Sequence, residues 1–99
     1  MAASFSAHFS GDDVAIATSA TLIFTSTSAA GANEPEQIIV QNNSAIVVTV
    51  GGSDVSDASN GVVLPASANS TLTIPLKFPG IKVYAASASG TPSVQVTRI

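Results

Sequence analysis

The residues in this chain that could do chemistry are few and far apart. His8 is the only histidine and cysteine is absent. A Ser-His-Asp relay would therefore have to run through His8, while thiolate nucleophiles, thiolate metal sites and disulfides are excluded together. In "SFSAHFS", residues 4 to 10, the large apolar groups Phe5 and Phe9 recur with Ala7 on one side of an extended chain. That alternation turns His8 outward beside Ser6 and Ser10, as a solvated strand residue. One His without Cys also excludes a cupredoxin-like copper centre. Carboxylates form two close sets, Asp12-Asp13 and Glu34 with Glu36 around Pro35. Paired carboxylates can hydrolyse glycosides, but they need a cleft and stacking aromatics. The chain has no Trp, and Phe5, Phe9, Phe24, Phe78 and Tyr84 are its only aromatics. No residue is assigned a catalytic or cofactor-binding role, and no cofactor is expected.

The most conspicuous stretch is "VGGSDVSDASNGVVL", residues 50 to 64, with three glycines, two aspartates and an asparagine between valine-rich runs. A cation site there would draw oxygen ligands from Asp54, Asp57 and Asn60. Their spacing of three does not match the EF-hand loop, no bidentate Glu follows, and "GGSD" lacks the Lys of a phosphate-binding loop. A turn accounts for each residue. Gly51-Gly52 permits positive φ where a strand ends, Asp54 and Asp57 can close Asx-turns, and Asn60-Gly61 is a strong turn dipeptide. Asp54, Asp57 and Asn60 remain weak metal candidates beside that reading. Asn42-Asn43-Ser44 and Asn69-Ser70-Thr71 match the glycosylation sequon. Without an export signal they are not expected to meet the machinery.

The elements that must carry these residues are strands. Apolar residues recur at every second position and Val, Ile and Thr dominate, the signature of half-buried β-structure. Val14, Ile16 and Thr18 share a face; so do Leu22 and Phe24, with Ile23 opposite. The segment from Ser28 to Glu36 is small, polar and broken by Gly31 and Pro35, and reads as a surface loop. "EQIIVQNNSAIVVTVGG" reads as a β-hairpin turning at Asn42-Asn43, with Ile46, Val48 and Val50 inward, Ile38 and Val40 opposing them, and Ile39 and Val47 on a second face. "STLTIPL" places Leu72, Ile74 and Leu76 on one face, and Pro75, without a ladder donor, puts that strand at an edge. Pro79-Gly80 and Gly90-Thr91-Pro92 turn the chain. Ile81, Val83, Ala85, Val94 and Val96 face inward.

Strands every 8 to 12 residues with polar turns predict an all-β fold, a single antiparallel β-sandwich of about eight short strands in jelly-roll or related Greek-key order. Residues 1–13 are expected as an N-terminal strand or docking arm and residues 14–99 as the sandwich. Phe5 and Phe9 are the candidate interaction residues of that arm; the competing reading puts them in the core as a first strand.

The 99 residues suffice for one domain. Apolar residues reach 45%, much of it Ala, so the core is thin and aliphatic. Charged residues are only 9%, and Ser, Thr, Asn and Gln take the surface positions, which suits permanent assembly. Three cations against six acids give a net charge of -3, leaving no basic face for nucleic acid. The N-terminus has neither a cationic n-region nor a continuous apolar h-region. No apolar run approaches the roughly 20 residues that span a bilayer. The expectation is a soluble protein made in the cytoplasm without a signal peptide, and with no membrane partner.

Residues 37 to 99 carry a consecutive pattern. It comprises an Asn-rich "IIVQNNSAIVVTVGGSDVS", an "ASNGVVLPA" strand entry, the aliphatic "STLTIPL", and a valine-rich close, "KVYAASASGTPSVQVTRI". In this it resembles small all-β virion proteins of tailed bacteriophages, of the capsid decoration or cement type. The resemblance implies a non-enzymatic structural protein on the outer surface of a phage head. It also implies the major capsid protein as partner, and a homo-oligomer, expected as a trimer, that bridges capsid subunits. A tail, baseplate or head-tail component is the first alternative. A carbohydrate-binding or adhesion module is the second, for which Tyr84 is the one plausible stacking residue.

Overall fold

A computed structural model describes residues 11–26, 36–66, 70–76 and 78–98. Phe5, His8, Phe9, Glu34 and Asn69 lie outside the described residues, as do the expected arm before Gly11 and the loop before Glu36. The described residues form eight strands and no helix, hence no helix long and apolar enough to cross a membrane. They are β1 (Gly11–Ala15), β2 (Thr21–Thr25), β3 (Glu36–Asn42), β4 (Val48–Ser56), β5 (Ser59–Leu64), β6 (Ser70–Leu76), β7 (Lys82–Ser87) and β8 (Ser93–Arg98).

Two four-stranded antiparallel sheets result, in the orders β1-β8-β3-β6 and β2-β7-β4-β5. The pairings are nested: β4 with β5, β3 with β6, β2 with β7 and β1 with β8. Rolling this nested ribbon brings β3 against β8 and β4 against β7, which completes both sheets. That is the jelly-roll order of a β-sandwich. β1 runs through Asp12 and Asp13 in register with β8, so the strand spans the boundary expected between residues 13 and 14.

The two inner faces supply the core. Ile38 and Val40 of β3, Leu76 of β6, and Val94 and Val96 of β8 meet Val48 and Val50 of β4, Leu64 of β5, and Val83 and Ala85 of β7. Ile16 closes one end, and Val14, Phe24, Leu72, Ile74 and Ile81 pack around the rim. The expected inward sets of β6, β7 and β8 are the observed ones. No buried side-chain nitrogen or oxygen among the described residues lacks a hydrogen-bond partner.

Two readings of the sequence are corrected. Residues 36 to 52 do not fold as one hairpin: β3 belongs to the first sheet and β4 to the second. Ile38 and Val40 pair with Ile74 and Leu72, and Val48 and Val50 face them across the sandwich. Ile46 is half-buried in the crossing between the sheets. Two adjacent β-branched runs with inward residues look alike whether they share a sheet or face each other across a core. In β2, Leu22 and Phe24 do not share a face as expected: Leu22 is exposed and paired with Tyr84, whereas Phe24 is paired with the buried Val83 and packs on the core, as does Ile23. The ladder slips between Leu22 and Phe24, where Leu22 pairs with Tyr84 and Phe24 with the very next residue, Val83. The extra residue of that bulge is Ile23, and the bulge breaks the period of two.

Candidate functional site

The stretch from Val50 to Leu64 is the β4–β5 hairpin, and its tip curls over the outer face of its own sheet. Thr49 and Ala86 are ladder partners on that outer face, yet both are fully buried. Part of the cover is local: the Ala58 N–H donates to Thr49 Oγ1 at 2.9 Å. Val55, itself buried, lies over the glycine pair, with its Cγ2 3.3 Å from where a Gly51 Cβ would stand and 3.0 Å from that of Gly61. The two backbones come close because neither glycine has a side chain. A Cβ at Gly61 would meet the Val50 carbonyl oxygen at 2.3 Å, and one at Gly51 the Asn60 oxygen at 2.5 Å. Ala58 and Asn60 hold left-handed backbone, at φ 56 and 60 degrees, to bring the chain back.

The weak cation candidates sit on this curled tip. Asp54, Asp57 and Asn60 are all exposed. Asn60 Nδ2 donates to the Asp54 carbonyl oxygen at 3.1 Å, tying the strands of the tip together. Among the described residues no three His, Cys, Asp or Glu side chains gather into a metal-binding set. Asn60-Gly61 does not form the turn itself. The turn is at Asp57-Ala58, and Asn60 lies two residues past it in β5.

Asn42, part of a sequon, serves another purpose. It is fully buried, and its Nδ2 donates to the carbonyl oxygens of Ile46 at 2.9 Å, Pro65 at 3.1 Å and Leu64 at 3.2 Å. Its Oδ1 accepts from the Ser44 N–H at 3.0 Å and from the Ser44 hydroxyl at 2.7 Å. One side chain thus fastens the β3-to-β4 crossing to the end of β5. A glycan cannot be attached to that nitrogen in the folded protein. Ser26 plays the same part at the other end of the molecule. Its hydroxyl donates to the Phe78 carbonyl and accepts the Ile81 N–H at 2.8 Å, holding the β6–β7 turn against the end of β2. Nothing in the spacing of Asn42 or Ser26 marks these roles, since Leu64 and Pro65 for the one, and Phe78 and Ile81 for the other, lie far along the chain.

The chain matches no protein-family model, no curated protein and no solved structure. What the described surface offers is therefore read from its own chemistry. The outer face of the β1-β8-β3-β6 sheet aligns Asp13, Gln95, Gln41 and Thr71 in one row across all four strands. Thr97, Ile39 and Thr73 make the next row. Asp13 is the single charged residue that register assigns to this face. Exposed apolar groups lie elsewhere: Phe78 on the β6–β7 turn, Leu22 on β2, and Val62 and Val63 side by side on β5. Tyr84 is half-buried on the outer face of the second sheet, between Leu22 and Gly51 in the ladder.

Proposed function

We propose that this chain is a non-enzymatic virion structural protein of the capsid decoration type, which binds the outer surface of a phage head and stabilises it by bridging capsid subunits. The observation that carries the reading is the extent of the resembling pattern. Residues 37 to 99 build β3 to β8, so both sheets are made largely from the stretch that resembles such proteins. The surface chemistry supports the same role. A face lined mainly by Gln and Thr side chains with one carboxylate can be dehydrated against protein at far lower cost than a charged one, because neutral groups find replacement hydrogen bonds readily. Repetition around a shell then multiplies modest contacts through avidity.

The test is co-sedimentation of purified protein with heads that lack it, followed by heat or osmotic shock. The protein should pellet with the heads and raise the temperature or shock at which they rupture. Failure to pellet, or binding confined to tails, defeats the proposal.

A further inference from the structure

The four strands at the sheet edges are β1, β6, β2 and β5, and three of them carry a recognised safeguard against joining another strand. β1 contains the adjacent acids Asp12 and Asp13, β6 contains Pro75, and β2 is bulged between Leu22 and Phe24. β5 has none of these along its regular part. From Gly61 to Leu64 it pairs evenly with β4, its sequence Ser-Asn-Gly-Val-Val-Leu has no charge and no proline, and Val62 and Val63 are 50% and 43% exposed.

The geometry points to β5 as the self-association edge of this protein, pairing antiparallel with β5 of a second copy about a two-fold axis. The pair would join two sheets into one in the order β2-β7-β4-β5-β5-β4-β7-β2. A strand edge is completed by another strand, and a neutral one meets its own copy without repulsion; β1 would instead bring Asp12 and Asp13 against their duplicates. Charge also selects the direction. Asp54 and Asp57 sit on the β4–β5 tip. Antiparallel pairing sends the two acidic tips to opposite ends, where parallel pairing would set them side by side. Val62 lies on the inner face with its ladder partner Val50, and Val63 on the outer face with Thr49. A register that keeps inner against inner and centres on the evenly paired stretch from Gly61 to Leu64 places Val62 or Val63 across from itself at the axis. The assembly is a pair, in place of the three copies that the resemblance implies. It stands whether or not the chain binds a capsid.

Solution mass as a function of concentration tests this, with Val63→Lys and Val62→Lys as edge charges on exposed positions. The unaltered chain should run as a dimer, and each variant should keep its β-type circular dichroism while its dimer dissociation constant rises at least about tenfold. Because the chain has no cysteine, Val62→Cys and Val63→Cys give a second reading that does not depend on the lysine variants folding. One of the two should form a disulfide-linked dimer readily under mild oxidation, and Thr73→Cys on the outer face of the guarded β6 should not. A monomer at all concentrations, a trimer, a dimer indifferent to both lysines, or crosslinking no faster than at Thr73→Cys overturns the inference.

Discussion

Asn42 is the residue on which the crossing between the sheets turns, because its amide meets three carbonyl oxygens from two separate segments. Asn42→Ala removes the buried donor to Leu64 and the acceptor of the Ser44 N–H, while the Ile46 and Pro65 oxygens keep the Ser44 and Ser70 hydroxyls as donors, so the loss is about 1–3 kcal/mol in all. The urea midpoint should fall by the equivalent amount, with the slope unchanged. Glycine positions give a sharper series. A methyl at Gly61 or Gly51 must displace backbone at 2.3 or 2.5 Å, whereas at Gly52 its nearest neighbour is Asp54 Oδ1 at 3.6 Å. Gly61→Ala and Gly51→Ala should therefore each lower stability by about 1–3 kcal/mol through forced backbone shift, and Gly52→Ala should stay within about 0.5 kcal/mol. Thermal unfolding of the three variants side by side checks the order. Ala58, at φ 56 degrees, bears the left-handed cost that glycine avoids. Ala58→Gly should raise stability by up to about 1 kcal/mol, the left-handed penalty less the added chain entropy.

At the scale of the elements, the nested pairings dictate how far the chain must close on itself. β4 and β5 are joined by a tight turn, while β1 pairs with β8 across nearly the whole sequence. Loop-closure entropy favours forming the inner hairpin first and adding β3–β6, β2–β7 and β1–β8 outward. Both Val50 of β4 and Val94 of β8 are core residues, and truncating either to Ala costs about 2 kcal/mol. In stopped-flow chevrons Val50→Ala should chiefly slow folding, whereas Val94→Ala should chiefly speed unfolding. The strands themselves were legible in the sequence where the period of two runs unbroken. Leu72, Ile74 and Leu76, or Val94 and Val96, can have only one inward face, and Pro75 marks its own edge. The alternation says nothing about which sheet a strand joins, so β3 and β4 read as neighbours although the core lies between them. The bulge at Ile23 was invisible for a related reason, since one inserted residue inverts the faces around it without changing residue types. Asn42 reads as the turn of a hairpin because the signal is local, whereas two of its partners, Leu64 and Pro65, lie at the end of another strand.

For the whole molecule, the proposed role places function in the outer skin of the sandwich, where charge is sparse. Net charge is only -3, and among the described residues Asp13 is the single charge that register assigns to the outer face of the β1-β8-β3-β6 sheet. Binding to heads should then owe little to long-range attraction, and its affinity should change less than about threefold between 0.05 and 0.5 M salt. Replacing Gln41 and Gln95 together by Lys should weaken that binding while leaving the melting temperature within about 3 °C, because both side chains point away from the core. The most direct measurement is imaging of intact virions that carry a gold-labelled copy of this chain. The account predicts label distributed over the head shell; label restricted to tails, or particles that take up none, would contradict it.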